Sequence, residues 1–392
     1  MTLSTRPEPY IIPSYSLVGD LLSYLNCGRQ YRYHQRGALP PSKPVQLWFG
    51  QFIHGVMEEA YRRWNEQRTT RLNGGSAGPL LTFPWDDATL ESLEQEIIGR
   101  LAAQGLVYSN KSMLELSRKR ARIMINEIGR DLFPLIDAAE VRLQGIRPMP
   151  QLKGAPARSN YYEVTGVVDV LSTLHLAKAD PGNRILQALM RNPTVQQTLA
   201  RHQANNGSEF EIILDYKGMR RPPLPEDALG RFEWQIQTYT WLRAQQTNAR
   251  PVLAGVLIFV NELEPSRTDM EALYDEVYEL PGGPVTDVPP AGKDDIALRR
   301  WRKNKQSFPQ LTFDYRLQRA LHIVPITDST MHASLSRFDA VVAEIEASVN
   351  KEKFGKGISA SWKATPKRNN CTVCDFRHFC DKSDVQGLPL AP

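Results

Sequence analysis

Four cysteines in 392 residues are too few for a disulfide-stapled scaffold, and without a secretion signal a disulfide framework is the lesser use for them. No apolar run approaches the ~20 residues that cross a bilayer. The longest are Val252 to Val260 and Ile212 to Leu214 with its flanks. The first residues have neither the charged nor the apolar region of a signal peptide, and a cytoplasmic location is expected. Charge of one sign is scarce: 48 Lys+Arg against 43 Asp+Glu leave +5, with a pI of about 8.9. That surplus leans toward a polyanionic partner without establishing one. No repeat stands at solenoid or propeller spacing and the Pro/Gly-rich stretches are short, which excludes repeat arrays and low-complexity chains. What remains is an ordinary globular composition, 41% hydrophobic and 23% charged, in a chain long enough for two or three units of roughly 150 residues.

Helical periodicity comes first. Tyr15 to Tyr33 places Leu17, Leu21, Leu22 and Leu25 at helical intervals and predicts a helix with Cys27 near its end. Leu47 to Trp64 predicts a second helix, Asn73 to Pro84 a loop, and Ala88 to Leu135 a long helical region with Met124, Ile128, Leu132 and Leu135 on one stripe. The pattern then changes. Glu163 to Leu171, Phe210 to Tyr216 and Pro251 to Val260 are short and β-branched, hence strands, with a helix over Gly230 to Gln246 between the last two. Ala333 to Val349 is a late amphipathic helix. Strand, helix, strand flanked by helices argues for an α/β core.

Asp215-Tyr216-Lys217 ends one strand, and alternation sends Asp215 and Lys217 to one face and Tyr216 to the other. Asp169 ends the preceding strand and could lie beside Asp215. Two adjacent carboxylates repel unless a cation intervenes, and a hard ion held by oxygen is the usual resolution, with Lys217 left to serve the attacking water. Gly50 precedes His54 and Glu58, which share a helix face at i, i+4, and Gln235 and Tyr239 repeat that spacing downstream. Cys371, Cys374 and Cys380 form a dense thiolate group, with Cys27 at the other end of the chain. Four thiolates suit Zn²⁺ or an iron–sulfur cluster equally well on softness and number, and such a site would staple the chain's two ends together.

This order of elements resembles the RecB-like branch of the PD-(D/E)XK nuclease superfamily in its iron–sulfur form, as in CRISPR-associated adaptation exonucleases and the AddB nuclease domain. The resemblance runs through Cys27, the Gly50/His54 helix, Gly166-Val167-Val168-Asp169, Asp215-Tyr216-Lys217, Gln235 and Tyr239, then Cys371, Cys374 and Cys380. It implies a restriction-endonuclease-like α/β core with a helical N-terminal arm and a C-terminal iron–sulfur region. It also implies Asp169 and Asp215 as ligands of Mg²⁺ or Mn²⁺, His54 as a further ligand, Lys217 on the water, and Gln235 and Tyr239 as a substrate-positioning pair. The four cysteines become [4Fe–4S] ligands, and Glu140 is a loose match to an acidic position upstream in some members. The chain divides accordingly into residues 1–45 with the first cysteine, an arm over 46–137, a core over 138–262 and a C-terminal region over 263–392. Residues 176–208 are an excursion between the two acidic strands. The extra chain between Gly255 and Arg368, with a loop at Pro281 to Pro290, is room for docking another protein.

Basic segments fit a nucleic-acid path: Arg29, Arg32 and Arg36, the run Arg118 to Arg122, Arg220-Arg221, and Arg299-Arg300-Trp301-Arg302-Lys303, where a ring sits among cations. The leading expectation is a metal-dependent deoxyribonuclease acting as a single-strand exonuclease in repair, recombination or phage defence, with DNA and a helicase as partners. The alternative is a non-catalytic iron–sulfur or zinc subunit that holds DNA for a helicase.

Overall fold

The computed structural model describes residues 12–36, 45–74, 81–152, 156–175, 180–204, 209–224, 227–279, 285–304 and 308–385. In chain order the main elements are β1 (Ser14–Ser16), α1 (Val45–Leu72), α2 (Asp87–Ala103), α3 (Lys111–Ile123), β2 (Ile136–Pro148) and β3 (Tyr161–His175). They continue with α4 (Arg184–Arg191), α5 (Pro193–Ala204), β4 (Glu209–Lys217), α6 (Asp227–Ala244) and β5 (Val252–Phe259). Last come α7 (Arg267–Tyr274), α8 (Lys293–Asn304), α9 (Phe313–Ala320), β6 (Leu321–Pro325) and α10 (Asp328–Lys353).

The six strands form one mixed sheet. Along one edge of β3 runs β2, antiparallel from Ile136↔Ser172 to Pro148↔Tyr161. The other edge is shared by β1, parallel at Ser14↔Glu163, and β4, antiparallel from His175↔Glu209 to Val170↔Leu214. Beyond β4 lie β5, parallel to it, and β6, antiparallel to β5. The α4–α5 pair is the excursion between β3 and β4. On one sheet face α1, α2 and α3 pack Phe52, Ile53, Leu93 and Ala121 against Ile212, Leu214 and Val256. On the other, α6 and α10 pack Trp234, Ile236, Phe338 and Ile345 against Val164 and Leu257. A third, small core of Met270, Leu273, Leu298, Trp301 and Tyr315 belongs to the insertion between β5 and β6. The sheet takes β1 from before residue 45 and β6 from beyond residue 262, so the four stretches read from the sequence share one framework.

Two sequence expectations change here. The helix over Tyr15 to Tyr33 starts as a strand and is broken at Cys27, which is extended at φ −163°, ψ 108°. Tertiary contact overrides local periodicity: the Arg29 N–H donates to the Lys363 carbonyl at 3.2 Å, and a Cβ at Gly28 would stand 3.0 Å from that same oxygen. The helical region Ala88 to Leu135 is divided at Gly105, whose φ of +75° suits glycine. There Leu106 N–H bonds the Leu101 carbonyl and Gly105 N–H the Ala102 carbonyl, a Schellman stop with Leu101 and Leu106 both buried. The late helix holds, with Phe338, Val342, Ile345 and Val349 buried within α10.

Candidate active site

The site forms where β2 and β3 exchange faces. Along β3, Tyr162, Val164 and Val168 lie in the core under α6, whereas Val170 and Leu174 lie in the core under α1. Strict alternation would keep residues of one parity on one side, so the strand turns over at Asp169. In β2 the same reversal falls at Glu140: Val141 packs on the α6 side, whereas Ala139, two residues away and of the same parity, stands opposite Val170 of the α1 side. Glu140 has φ +52°, a left-handed conformation rare outside glycine, and the flanking register Ala139↔Val170 and Val141↔Val168 puts it opposite Asp169. Irregularities of this kind re-aim side chains beside functional sites.

His54 arrives from α1. Donor atoms of His54, Glu140 and Asp169 all lie within 4.8 Å of one another, in a cleft of about 660 Å³ also lined by Gln51, Glu58 and Arg100. His54 Nε2 is 3.2 Å from the Tyr216 carbonyl oxygen. A carbonyl only accepts, so Nε2 carries the proton and Nδ1, 3.5 Å from Asp169 Oδ2, presents its lone pair to the cluster. The Tyr216 N–H donates to Asp169 Oδ2 at 2.9 Å. One peptide unit region of β4, past the last β3–β4 pair at Val170↔Leu214, thus orients two donor side chains, a role that outer-shell groups play around metal ligands.

Asp215 and Lys217 share the α6 face, as alternation requires. Lys217 Nζ donates to Asp215 Oδ2 at 2.8 Å and to Gln235 Oε1 at 2.7 Å, and it sits 4.7 Å above the Phe232 ring. Gln235 Nε2 donates to the Tyr239 hydroxyl at 2.9 Å. Gln235 and Tyr239, one helical turn apart and both buried, therefore form a relay that fixes the ammonium. Gly166 makes room for it: a Cβ there would fall 2.6 Å from the Tyr239 ring.

The electrostatics of the cluster suit a bound cation. Burial, then the charge of Asp215, push the Asp169 carboxyl well above the ordinary range, against the pull of the Tyr216 N–H and Lys217. Glu140 is raised by burial and by Glu58 and Asp215. Burial lowers the pKa of His54, which keeps the imidazole neutral and able to ligate. Oxygen donors plus one imidazole nitrogen fit a divalent ion of the Mg²⁺ or Mn²⁺ kind, the nitrogen suiting Mn²⁺ better. Of the residues expected from sequence, His54, Asp169, Asp215, Lys217, Gln235 and Tyr239 converge. Glu140, a loose match there, enters the donor cluster, while Asp215 adjoins it through a side-chain hydrogen bond with Asp169 and the field it exerts there.

The four cysteines converge as well. Cys27, Cys371, Cys374 and Cys380 line one pocket with Arg29, Tyr33, Phe376 and Arg377, and all four are free thiols. Burial, followed by the charges of the other three, pushes Cys374 up to about 11. Arg29 Nη1 reaches Cys380 Sγ at 3.7 Å. Burial raises Cys371 as well, and four sulfur donors in one pocket fit a bound cationic centre. The chain ends are also joined without it, through the Arg29–Asp381 pair and the fork of Arg32 on Glu352 at 2.6 and 2.7 Å.

The basic runs require a correction. Arg118 and Arg122 pair with Glu94, and buried Arg120 binds Asp269 and the Glu264 carbonyl. Arg220 pairs with Glu276, Arg221 with Asp287 and Arg299 with Asp295. Trp301 is buried in the insertion core, so it is not a surface stacking ring. Arg299 and Asp295 pair within α8, four residues apart; the other pairs are ties between elements whose partners are distant in sequence. The side chains of Arg36, Arg302 and Lys303 lie outside the described residues, and so does part of the loop at Pro281 to Pro290.

No described helix is long and apolar enough to cross a membrane. Comparison with curated proteins finds no match. Residues 18–176 match the PD-(D/E)XK nuclease superfamily, a span that includes His54, Glu140 and Asp169 and ends before Asp215 and Lys217. Together with the donor cluster, that match supports a metal-dependent nuclease domain of the PD-(D/E)XK superfamily.

Proposed function

We propose that the protein is a divalent-metal-dependent deoxyribonuclease, a single-strand exonuclease of DNA repair, recombination or phage defence, with a [4Fe–4S] cluster on Cys27, Cys371, Cys374 and Cys380. The observation that carries the nuclease reading is the convergence of His54, Glu140 and Asp169 within 4.8 Å, beside Lys217 held by Asp215 and Gln235. The exonuclease, single-strand and pathway parts rest on the resemblance of the motif order to iron–sulfur RecB-like nucleases.

His54, Glu140 and Asp169 would hold the ion, with Asp215 beside them. A divalent ion there supplies Lewis acidity at a phosphoryl oxygen and a water of lowered pKa. The chain's own groups do the rest. Lys217 keeps a positive charge where negative charge grows on the phosphate or the attacking oxygen. Gln235 and Tyr239 hold that ammonium in place, and the Tyr216 main chain keeps His54 Nδ1 and Asp169 aimed inward. At the other end, four thiols in one pocket match an iron–sulfur cluster in donor type and number, and zinc shares that match.

The test is degradation of end-labelled single- and double-stranded DNA with Mn²⁺, Mg²⁺ or EDTA, with Lys217→Ala alongside wild type. Metal-dependent loss of label in wild type alone supports the assignment. Equal cleavage by Lys217→Ala, or DNA binding by wild type without cleavage under any metal, overturns it in favour of a non-catalytic DNA-holding subunit. For the cysteines, anaerobic protein should carry a broad visible absorption and iron that Cys27→Ser lacks. Stoichiometric zinc with no colour overturns the cluster.

A further inference from the structure

His322 lies on β6, opposite Leu257 of β5, outside the donor cluster and outside every motif read from the sequence. Arg221 Nη2 stands 2.7 Å from its Nδ1 and Glu233 Oε1 stands 2.8 Å from its Nε2. A guanidinium only donates, so Nδ1 is the acceptor, and Nε2 carries the proton and donates to Glu233. The neutral ring is therefore a directional bridge. One end is fixed: Arg221, 3% exposed, donates to the carbonyls of Arg319 and Leu321 at 3.2 and 3.1 Å, and its own N–H donates to Glu262 at 2.9 Å. Arg221 also follows the catalytic strand, four residues after Lys217. The other end is Glu233 on α6, two residues before Gln235.

Residues two apart on a helix point roughly 200° apart, so a contact at 233 on one side sets how far 235 turns on the other. Resting on the nuclease reading above, we propose that His322 is a positioning residue for cleavage: it ties α6 to the exit of β4 so that Gln235 stays on Lys217. Trp234, Ile236 and Leu242 bury the apolar side of α6, so the helix itself persists without the tie. What changes is the rotation that delivers Gln235.

The experiment is steady-state cleavage by His322→Ala, His322→Gln, Glu233→Ala and Gln235→Ala, with His322→Ala combined with Gln235→Ala, and melting curves on each. Loss of the tie should lower kcat about tenfold with KM within about twofold, the cost of misplacing a catalytic group by a fraction of an ångström. Glutamine, whose oxygen can accept from Arg221 and whose amide can donate to Glu233, should restore kcat to within about threefold. In the Gln235→Ala background His322→Ala should add less than about twofold, because both act through one contact. Glu233 is partly exposed, so Glu233→Ala reads the same tie should His322→Ala fail to fold. Additive losses, a change in KM alone, or no rescue by glutamine overturn the proposal. If Lys217→Ala is inactive while Glu233→Ala and His322→Ala cleave like wild type, the tie fails and the nuclease reading stands. If wild type does not cleave, that reading fails first.

Discussion

Gly166→Ala tests the relay behind Lys217. The added methyl would sit 2.6 and 3.0 Å from Tyr239 Cε1 and Cδ1 and 3.2 Å from Leu242 Cδ1, where carbon pairs prefer about 3.5–4.0 Å. The Tyr239 ring must retreat by about 1 Å, into a core where Leu242 is fully buried and Tyr239 is 5% exposed. Overpacking of this kind costs about 1–3 kcal/mol, a few degrees of melting temperature for a chain of this size. The same retreat lengthens the 2.9 Å bond from Gln235 to the Tyr239 hydroxyl, and Gln235 then holds Lys217 less firmly. Single-turnover cleavage with saturating Mn²⁺ should fall by about tenfold or more, since a misplacement near 1 Å can cost up to about a hundredfold. Tyr239→Phe, which removes the hydroxyl without the clash, should lower cleavage while leaving the melting temperature close to wild type. Gly166→Ala that melts lower yet cleaves at the wild-type rate would refute the relay. A variant unchanged in both would refute the packing as well.

Three further outcomes follow from the site's charges and main chain. Asp169 and Glu140 titrate above their ordinary values in the folded protein, so the stability they allow is fully present below about pH 4 and is lost as pH rises through their folded pKa values. Asp169→Asn should therefore melt higher than wild type at pH 8 in EDTA, and Mn²⁺ at about a hundredfold its Kd should stabilise wild type by about 2.7 kcal/mol but the variant far less; equal Mn²⁺ shifts would remove Asp169 from the ligand set. His54, lowered by burial, contributes the opposite slope below about pH 6.5, so the carboxyl's share is read as the difference between wild type and Asp169→Asn. Lys217→Ala strands the Asp215 carboxylate, 3% exposed, and should cost about 3–5 kcal/mol of apo stability, measured by denaturant titration with EDTA; a change under 1 kcal/mol would show that Asp215 finds another partner. Tyr216→Phe should cleave within about twofold of wild type, because the site uses that residue's N–H and carbonyl, and a tenfold loss would mean that its hydroxyl takes part.

Much of this arrangement was legible as local pattern. The strand carrying Asp215 and Lys217, the helix carrying His54 and the helix carrying Gln235 and Tyr239 each have a period that a window of ten residues reveals, and the fold keeps all three. What pattern could not show was pairing. β2 has no strong alternation because it turns over midway, so the sequence pattern assigns no element to Ile136–Pro148, and Glu140 stays a loose match although it lies opposite Asp169. The strands β1 and β6, three and five residues long, are too short to stand out. Arginine runs read as a phosphate track because their acids, Glu94, Asp269, Glu276 and Asp287, are remote in sequence and adjacent only in the fold.

The same limit explains why the D-x-K motif understates its own site. Positions 215 and 217 supply the side chains that alternation makes visible. Residue 216, whose ring packs into the opposite core, supplies the main-chain donor and acceptor that set Asp169 and the tautomer of His54. Those backbone groups are available because β3 leaves β4 after Val170↔Leu214, at the point where it turns over. A straight β3 would keep the Val168 parity through Val170 and turn Asp169 and its neighbours to the wrong faces. The reversal shared by Asp169 and Glu140 is therefore what joins an acidic strand pair to a helix-borne histidine, and Glu140's left-handed backbone is the local cost of that junction.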